Sequence, residues 1–169
     1  MHERVPRHAA ARSTPRYSHA MNLQATIRTI LLAGLLAATA SAASPSPVGR
    51  WRTLDDKTGK PSSEVRIRAL PDGSLEGVIE KVLDPSVAPG AVCEDCTDDR
   101  RNMPVIGLTF LRGMHAEGED WSGGTILDPD DGKVYRCAMH LRKGGQQLEV
   151  RGYIGISLFG RTQVWQRLE

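Results

Sequence analysis

The chain has 169 residues and a formal net charge of +2. Residues 1–42 hold five of its 22 basic and one of its 20 acidic residues, which leaves 17 basic and 19 acidic, a net of −2, for residues 43–169. A nucleic-acid partner needs a basic face; no basic cluster follows residue 42, so nucleic-acid binding is not expected.

In chain order, residues 1–20 carry Arg4, Arg7, Arg12 and Arg16 with little apolar content, and read as a disordered extension or a start placed too early, with Met21 the true start. Residues 21–42 read as a helical signal peptide. Arg28 gives the positive region, Ile30-Leu-Leu-Ala-Gly-Leu-Leu-Ala-Ala38 the apolar run and Ala40-Ser41-Ala42 the small-residue cleavage site, predicting cleavage after Ala42. That run is well short of the roughly 20 residues that span a bilayer, so no stable membrane anchor is expected after cleavage. Residues 43–169 are the right length for one domain, periplasmic or secreted.

Beyond residue 42 the sequence is punctuated by turn-forming clusters: Asp55-Asp-Lys-Thr-Gly59, Pro71-Asp-Gly73, His115-Ala-Glu-Gly118, Asp128-Pro-Asp-Asp-Gly132 and Gly144-Gly145. The segments between them alternate. Val65, Ile67 and Ala69 interleave with Arg66 and Arg68; Tyr135, Cys137, Met139 and Leu141 are spaced by two; Leu148, Val150, Gly152, Ile154 and Ile156 repeat the pattern. No helical period persists over three turns, and only the stretch from Ser86 to Asn102 has room for a short helical piece, limited by Pro85, Pro89 and Pro104. Eight short strands at this spacing predict an all-β domain, a single eight-stranded antiparallel up-and-down barrel. Such a closed sheet removes exposed edges and leaves an interior for packed side chains or one small ligand. Glycines within the strands, such as Gly77, Gly124 and Gly152, would mark bends or bulges.

Few residues suggest chemistry. Cys93 and Cys96 lie in the longest loop, where a close pair in an exported protein reads first as a disulfide. A redox dithiol would want a helix N-terminus, and Glu94 and Asp95 oppose a thiolate. A zinc site would need further ligands, and His115, His140 and Cys137 are single residues on separate elements. Asp128, Asp130 and Asp131 lack the later Glu of a calcium loop and read as a turn. Ser157 lacks the spacing of a nucleophile elbow. No catalytic residue, metal or cofactor is therefore expected. Trp51 in the first strand and Trp165 in the last would meet where the barrel closes, with Arg161 or Arg167 placed to stack on an indole, a cluster closing one end of the barrel.

Taken together, Gly49-Arg-Trp51-Arg-Thr53, the Cys93-Glu-Asp-Cys96 pair, Trp121-Ser-Gly-Gly-Thr-Ile-Leu-Asp-Pro129, Gly132-Lys-Val-Tyr135 and Arg151-Gly-Tyr-Ile-Gly-Ile-Ser-Leu-Phe-Gly-Arg-Thr-Gln-Val-Trp165 resemble the bacterial exported family catalogued as domain of unknown function 2147 (DUF2147), over residues 48–169. The resemblance implies an exported protein with a lipocalin-like barrel and brings no enzymatic activity with it. Gly49-x-Trp51 is also similar to the G-x-W of lipocalins, whose Trp packs under an arginine near the last strand.

The expected function is binding of a small, mainly apolar ligand inside the barrel, without chemistry, with Ile67, Tyr135, Met139, Val150 and Ile154 as lining residues. The alternatives are a filled barrel acting as a structural or interaction module, and a thiol-disulfide role for Cys93 and Cys96.

Overall fold

The computed structural model describes residues 45–169. The expected extension, signal peptide and cleavage site lie outside the described residues. Eight strands follow one another: β1 (Gly49–Leu54), β2 (Pro61–Ala69), β3 (Leu75–Val82), β4 (Thr109–Glu117), β5 (Asp120–Leu127), β6 (Val134–Arg142), β7 (Gln147–Tyr153) and β8 (Gly160–Arg167). Each pairs antiparallel with the next, and Trp51 opposite Arg167 and Arg52 opposite Gln166 join β1 to β8, closing the barrel. The expected eight-stranded up-and-down barrel is what forms. Among the described residues there is no α-helix; a 3-10 turn at Lys143–Gly145 connects β6 to β7.

The alternation read from the sequence sets the two faces. Val65 and Ile67 of β2 point into the core while Arg66 and Arg68 point out, where they pair with Glu80 and Glu76 of β3. Arg50 bridges Glu64 and Glu80 on the same outer wall. These pairs range from part-buried to exposed, and the exposed ones contribute little stability each.

Irregularities fall where the wall must bend. In β5 the register slips between Trp121 and Gly124. A Cβ on Gly124 would stand 2.4 Å from the Arg112 carbonyl oxygen and 2.5 Å from Met114 Sδ, so only glycine lets β4 and β5 approach this closely.

The interior divides into two halves. One is filled by Trp51, Ile67, Met114, Met139 and Leu148, all essentially inaccessible to solvent. Residues 45–48 cross this end. Pro47 is buried, and its carbonyl accepts the Trp51 indole N–H at 2.8 Å. The Arg167 guanidinium lies 4.2 Å from the Trp51 ring centroid and donates to the carbonyls of Ser46, Val48 and Gly145. One side chain thus ties the barrel wall to the segment and the turn that close it.

The opposite end is dressed by residues 83–108, the long connection from β3 to β4. It is coil throughout, with no helical piece; the prolines that limit a helix there also leave it pinned by other means. A Cys93–Cys96 disulfide, with both residues buried, and a bridge between Val92 and Pro104 hold its middle. Arg100, only 4% exposed, binds Asp98 and the Thr109 carbonyl, and Arg112 of β4 grips both carboxylate oxygens of Asp99 at 2.8 and 2.9 Å.

Candidate functional site

The half of the barrel beneath this loop is open. It holds a cavity of about 570 Å³, within the roughly 300–1,000 Å³ of small-molecule sites. Its floor and lower wall are apolar. Trp165 of β8 and Phe110 of β4, ring centroids 5.9 Å apart, separate the cavity from the filled half, and Val65, Ile79, Ile126 and Val150 continue the wall. Thr53, Ser62, Ser63, Tyr135 and Gln163 add polar groups to the lining. Gln163 faces the cavity and accepts the Trp165 indole N–H through Oε1 at 3.0 Å, which leaves its amide N–H groups without a partner among the described residues. The Thr53 and Ser63 hydroxyls satisfy one another at 2.7 Å.

The rim has a different character. Asp55, Asp84, Glu94, Asp95, Asp128 and Asp130 line it, and Arg161, paired with Asp56, is its one basic residue among the described residues. Hydrogen bonds from Thr58 hold the Asp55 carboxyl below its ordinary range, and those from Ser86 do the same for Asp84. Burial instead pushes Asp128 upward, against the single backbone N–H it accepts from Asp130. Burial likewise raises the Tyr135 phenol.

The remaining rim element is the β7–β8 loop. Arg151 donates to the carbonyls of Ser157 and Leu158 and to Thr162 Oγ1, fixing the loop backbone from beneath. Ile154, Ile156, Leu158 and Phe159 are left exposed, at 65, 59, 78 and 75%, and Ile154 and Phe159 also line the cavity mouth.

The residues singled out in the sequence are thus distributed over three levels. Tyr135 and Val150 line the cavity, and Ile154 stands at its mouth beyond the end of β7. Ile67 and Met139 point inward as expected but lie in the filled half, each 1% exposed, because alternation gives the face of a strand and not the depth along it. Trp51 and Arg167 stack at the closed end, Trp165 forms the cavity floor, and Arg161 sits at the opposite end. Sequence reasoning passed over Phe110, Ile126, Gln163 and the acidic rim. The rim carries a signal of its own: Asp55 and Asp128 stand in turn-forming clusters, and the turns at one end of such a barrel surround its mouth.

The disulfide loop and the β5–β6 turn are fitted to each other. Cys93 Sγ lies 3.6 Å from the Pro129 carbonyl oxygen, and a Cβ on Gly132 would fall 2.0 Å from the Asp95 carbonyl oxygen. Gly132 also has φ +67°, so two independent constraints select glycine. Cys137 is free and buried, and burial pushes its thiol up to about 12. Among the described residues no cluster of His, Cys, Asp and Glu is arranged to hold a metal ion.

Residues 49–167, nearly the whole of the barrel, match the model of the family described as "Uncharacterized protein conserved in bacteria (DUF2147)". The chain belongs to this family. Among solved structures it is similar to protein HP1028 from the human pathogen Helicobacter pylori, described as belonging to the lipocalin family. The two share 20% identity over 73% of this chain and 84% of that one, with a TM-score of 0.63. At that identity the likeness is one of fold, and the fold is lipocalin-like. No curated protein sequence matches the chain.

Proposed function

We propose that this DUF2147 barrel binds a small, mainly apolar ligand in the open half of its interior and performs no chemistry on it. The observation that carries the reading is the cavity of about 570 Å³, apolar at its floor and open at one end. Tyr135, Val150 and Ile154 are the contacts expected from the sequence, joined by Phe110, Ile126, Gln163 and Trp165. A barrel filled throughout, as a pure interaction module requires, is disfavoured by that volume. A thiol-disulfide role is disfavoured by the burial of both sulfurs, since exchange requires access to one of them.

We further propose that the chain is exported through residues 21–42 and acts in the periplasm or outside the cell, where an oxidising medium keeps the Cys93–Cys96 disulfide intact. An intact mass of the protein recovered from the periplasm or medium, beginning at Ala43, supports this.

Native mass spectrometry of the protein purified from its own compartment tests the binding reading. A stoichiometric small molecule released on denaturation supports it and gives the ligand class. Protein that is empty, and that also takes up no member of a panel of neutral apolar compounds, overturns it.

A further inference from the structure

The carboxylates of this domain are not evenly provided for. Of the 19 Asp and Glu among the described residues, nine pair with arginine or lysine, chiefly along the outer wall and the long loop, and Asp120 bonds the His140 imidazole. Nine have no basic partner, and six of those nine are Asp55, Asp84, Glu94, Asp95, Asp128 and Asp130, the residues of the cavity rim. Among the described residues the only basic side chain on the cavity wall, Arg161, is already engaged by Asp56. Lys57, Lys60 and Lys133 belong to the turns of this end but are not on the wall, and Lys133 is held by Asp131.

Below the rim the charge disappears. Val65, Phe110, Ile126, Val150 and Trp165 present no charge to a ligand. The geometry points to a ligand with matching polarity: we infer that the cavity selects amphiphiles with an apolar body and a cationic head, the body on the Trp165–Phe110 floor and the head among the rim carboxylates. This inference rests on the cavity being a ligand site; the carboxylates set its charge preference. Asp55, Asp84 and Asp128 are the half-buried ones among them, and only at Asp128 does burial outweigh the hydrogen bonds it accepts. Unpaired carboxylates in a partly desolvated mouth attract a cation more strongly than the same groups spread over a surface, and they repel an anion. The ligand head supplies the counter-charge that the outer wall obtains from arginine.

Three probes of equal chain length separate the possibilities: decyltrimethylammonium, decanol and decanoate, titrated calorimetrically into the full protein at neutral pH, low salt and below their aggregation limits. The cation is expected to bind at least about tenfold more tightly than the alcohol, and the anion most weakly; a factor of that size corresponds to about 1.4 kcal/mol, on the order of one close charge pair at a solvated site. Raising salt beyond about 0.1 M should shrink the cation's advantage, because the Debye length falls below about 10 Å. The double substitution Asp84→Asn, Asp128→Asn keeps both oxygen acceptors of the turns and should bring the cation-to-alcohol ratio toward one. Glu76→Gln on the outer wall should leave the ratio as it is. Equal binding of cation and alcohol, or tightest binding of the anion, overturns the inference and leaves the cavity an apolar site. Binding of none of the three overturns the inference together with the binding reading beneath it. The wild-type ratio and its salt dependence decide the matter even where the double variant fails to fold.

Discussion

Replacing Arg167 tests how the barrel is closed. Its guanidinium covers the Trp51 indole at 4.2 Å and donates to Gly145 O at 2.5 Å, Ser46 O at 2.6 Å and Val48 O at 3.0 Å. Only the first of these hydrogen bonds is partly buried; the other two compete with water. A charge-assisted bond contributes about 1.5–3 kcal/mol when shielded and considerably less when exposed. A cation over an aromatic face adds about 0.5–2 kcal/mol according to its desolvation. Taking the low end for the exposed contacts, Arg167→Met should destabilise the protein by about 3 kcal/mol, since Met keeps the apolar stem over Trp51 and removes only the fork. Arg167→Lys retains the charge but cannot reach three carbonyls from one plane, and should lose about 1–2 kcal/mol. Urea unfolding followed by tryptophan fluorescence measures both, and with a slope of about 1–2 kcal/mol per molar the Met variant's midpoint should fall by about 2 M. A double-mutant cycle with Trp51→Leu should give a coupling of about 1 kcal/mol. A loss below about 0.5 kcal/mol for the Met variant, or equal losses for Met and Lys, refutes the view that the guanidinium fork fastens residues 45–48 and the 3-10 turn to the wall.

Gly132→Ala should cost well over the roughly 1–2 kcal/mol of a left-handed alanine, because its Cβ would overlap the Asp95 carbonyl, whereas Gly59→Ala, also at φ +67° but with open space around it, should cost only the backbone term; comparing their unfolding midpoints isolates the clash. The Cys137 thiol should resist alkylation in the native protein at pH 9 and react at once on unfolding, read by mass. Its folded pKa is raised to about 12, so the unfolded chain releases this proton first; stability should be complete below about pH 8.5 and decline as pH rises toward 12. Asp98 behaves in the opposite sense. Hydrogen bonds from Arg100 lower it to about 2, so its contribution should be present above about pH 4 and be lost as pH falls toward 2, and acid unfolding of Asp98→Asn should show a shallower dependence across that window.

The architecture was legible because its determinants are local. A turn cluster such as Pro71-Asp-Gly73 and the alternation Val65, Ile67 against Arg66, Arg68 are each contained within a few residues, and the chain needs long-range pairing only between β3 and β4, across the long loop, and at the β1–β8 seam. One segment departs from the alternation, while the longest loop and its disulfide form as expected. Residues 154–159 continue the alternation of β7 by Ile154 and Ile156, yet the strand ends at Tyr153, because Arg151 binds the carbonyls of Ser157 and Leu158 and gathers the chain into a loop. Residues 83–108 are shaped by the Cys93–Cys96 disulfide and the Arg100–Asp98 pair, both formed within a few residues, and by the Arg112–Asp99 pair and the fit of Asp95 against Gly132, whose partners lie in β4 and in the β5–β6 turn.

The site follows the same division, which explains why its residues were only partly found. Inward direction is a property of one strand, and it put Ile67, Tyr135, Met139 and Val150 on the correct face. Depth is a property of the assembled barrel: whether an inward residue meets packed side chains or open space depends on what the other seven strands bring to that level. Trp51 fills the level of Ile67 and Met139, held there by Pro47 and Arg167, while towards Tyr135 the neighbouring strand carries Gly152, opposite Cys137, where even a Cβ would touch Ile126 at 3.3 Å and Tyr135 at 3.5 Å. A bulky residue at 152 would intrude on the cavity wall. The open half therefore owes part of its volume to Gly152, and the charge of its mouth to the Asp-rich turns after β1 and β5 together with Asp84, Glu94 and Asp95 of the long loop.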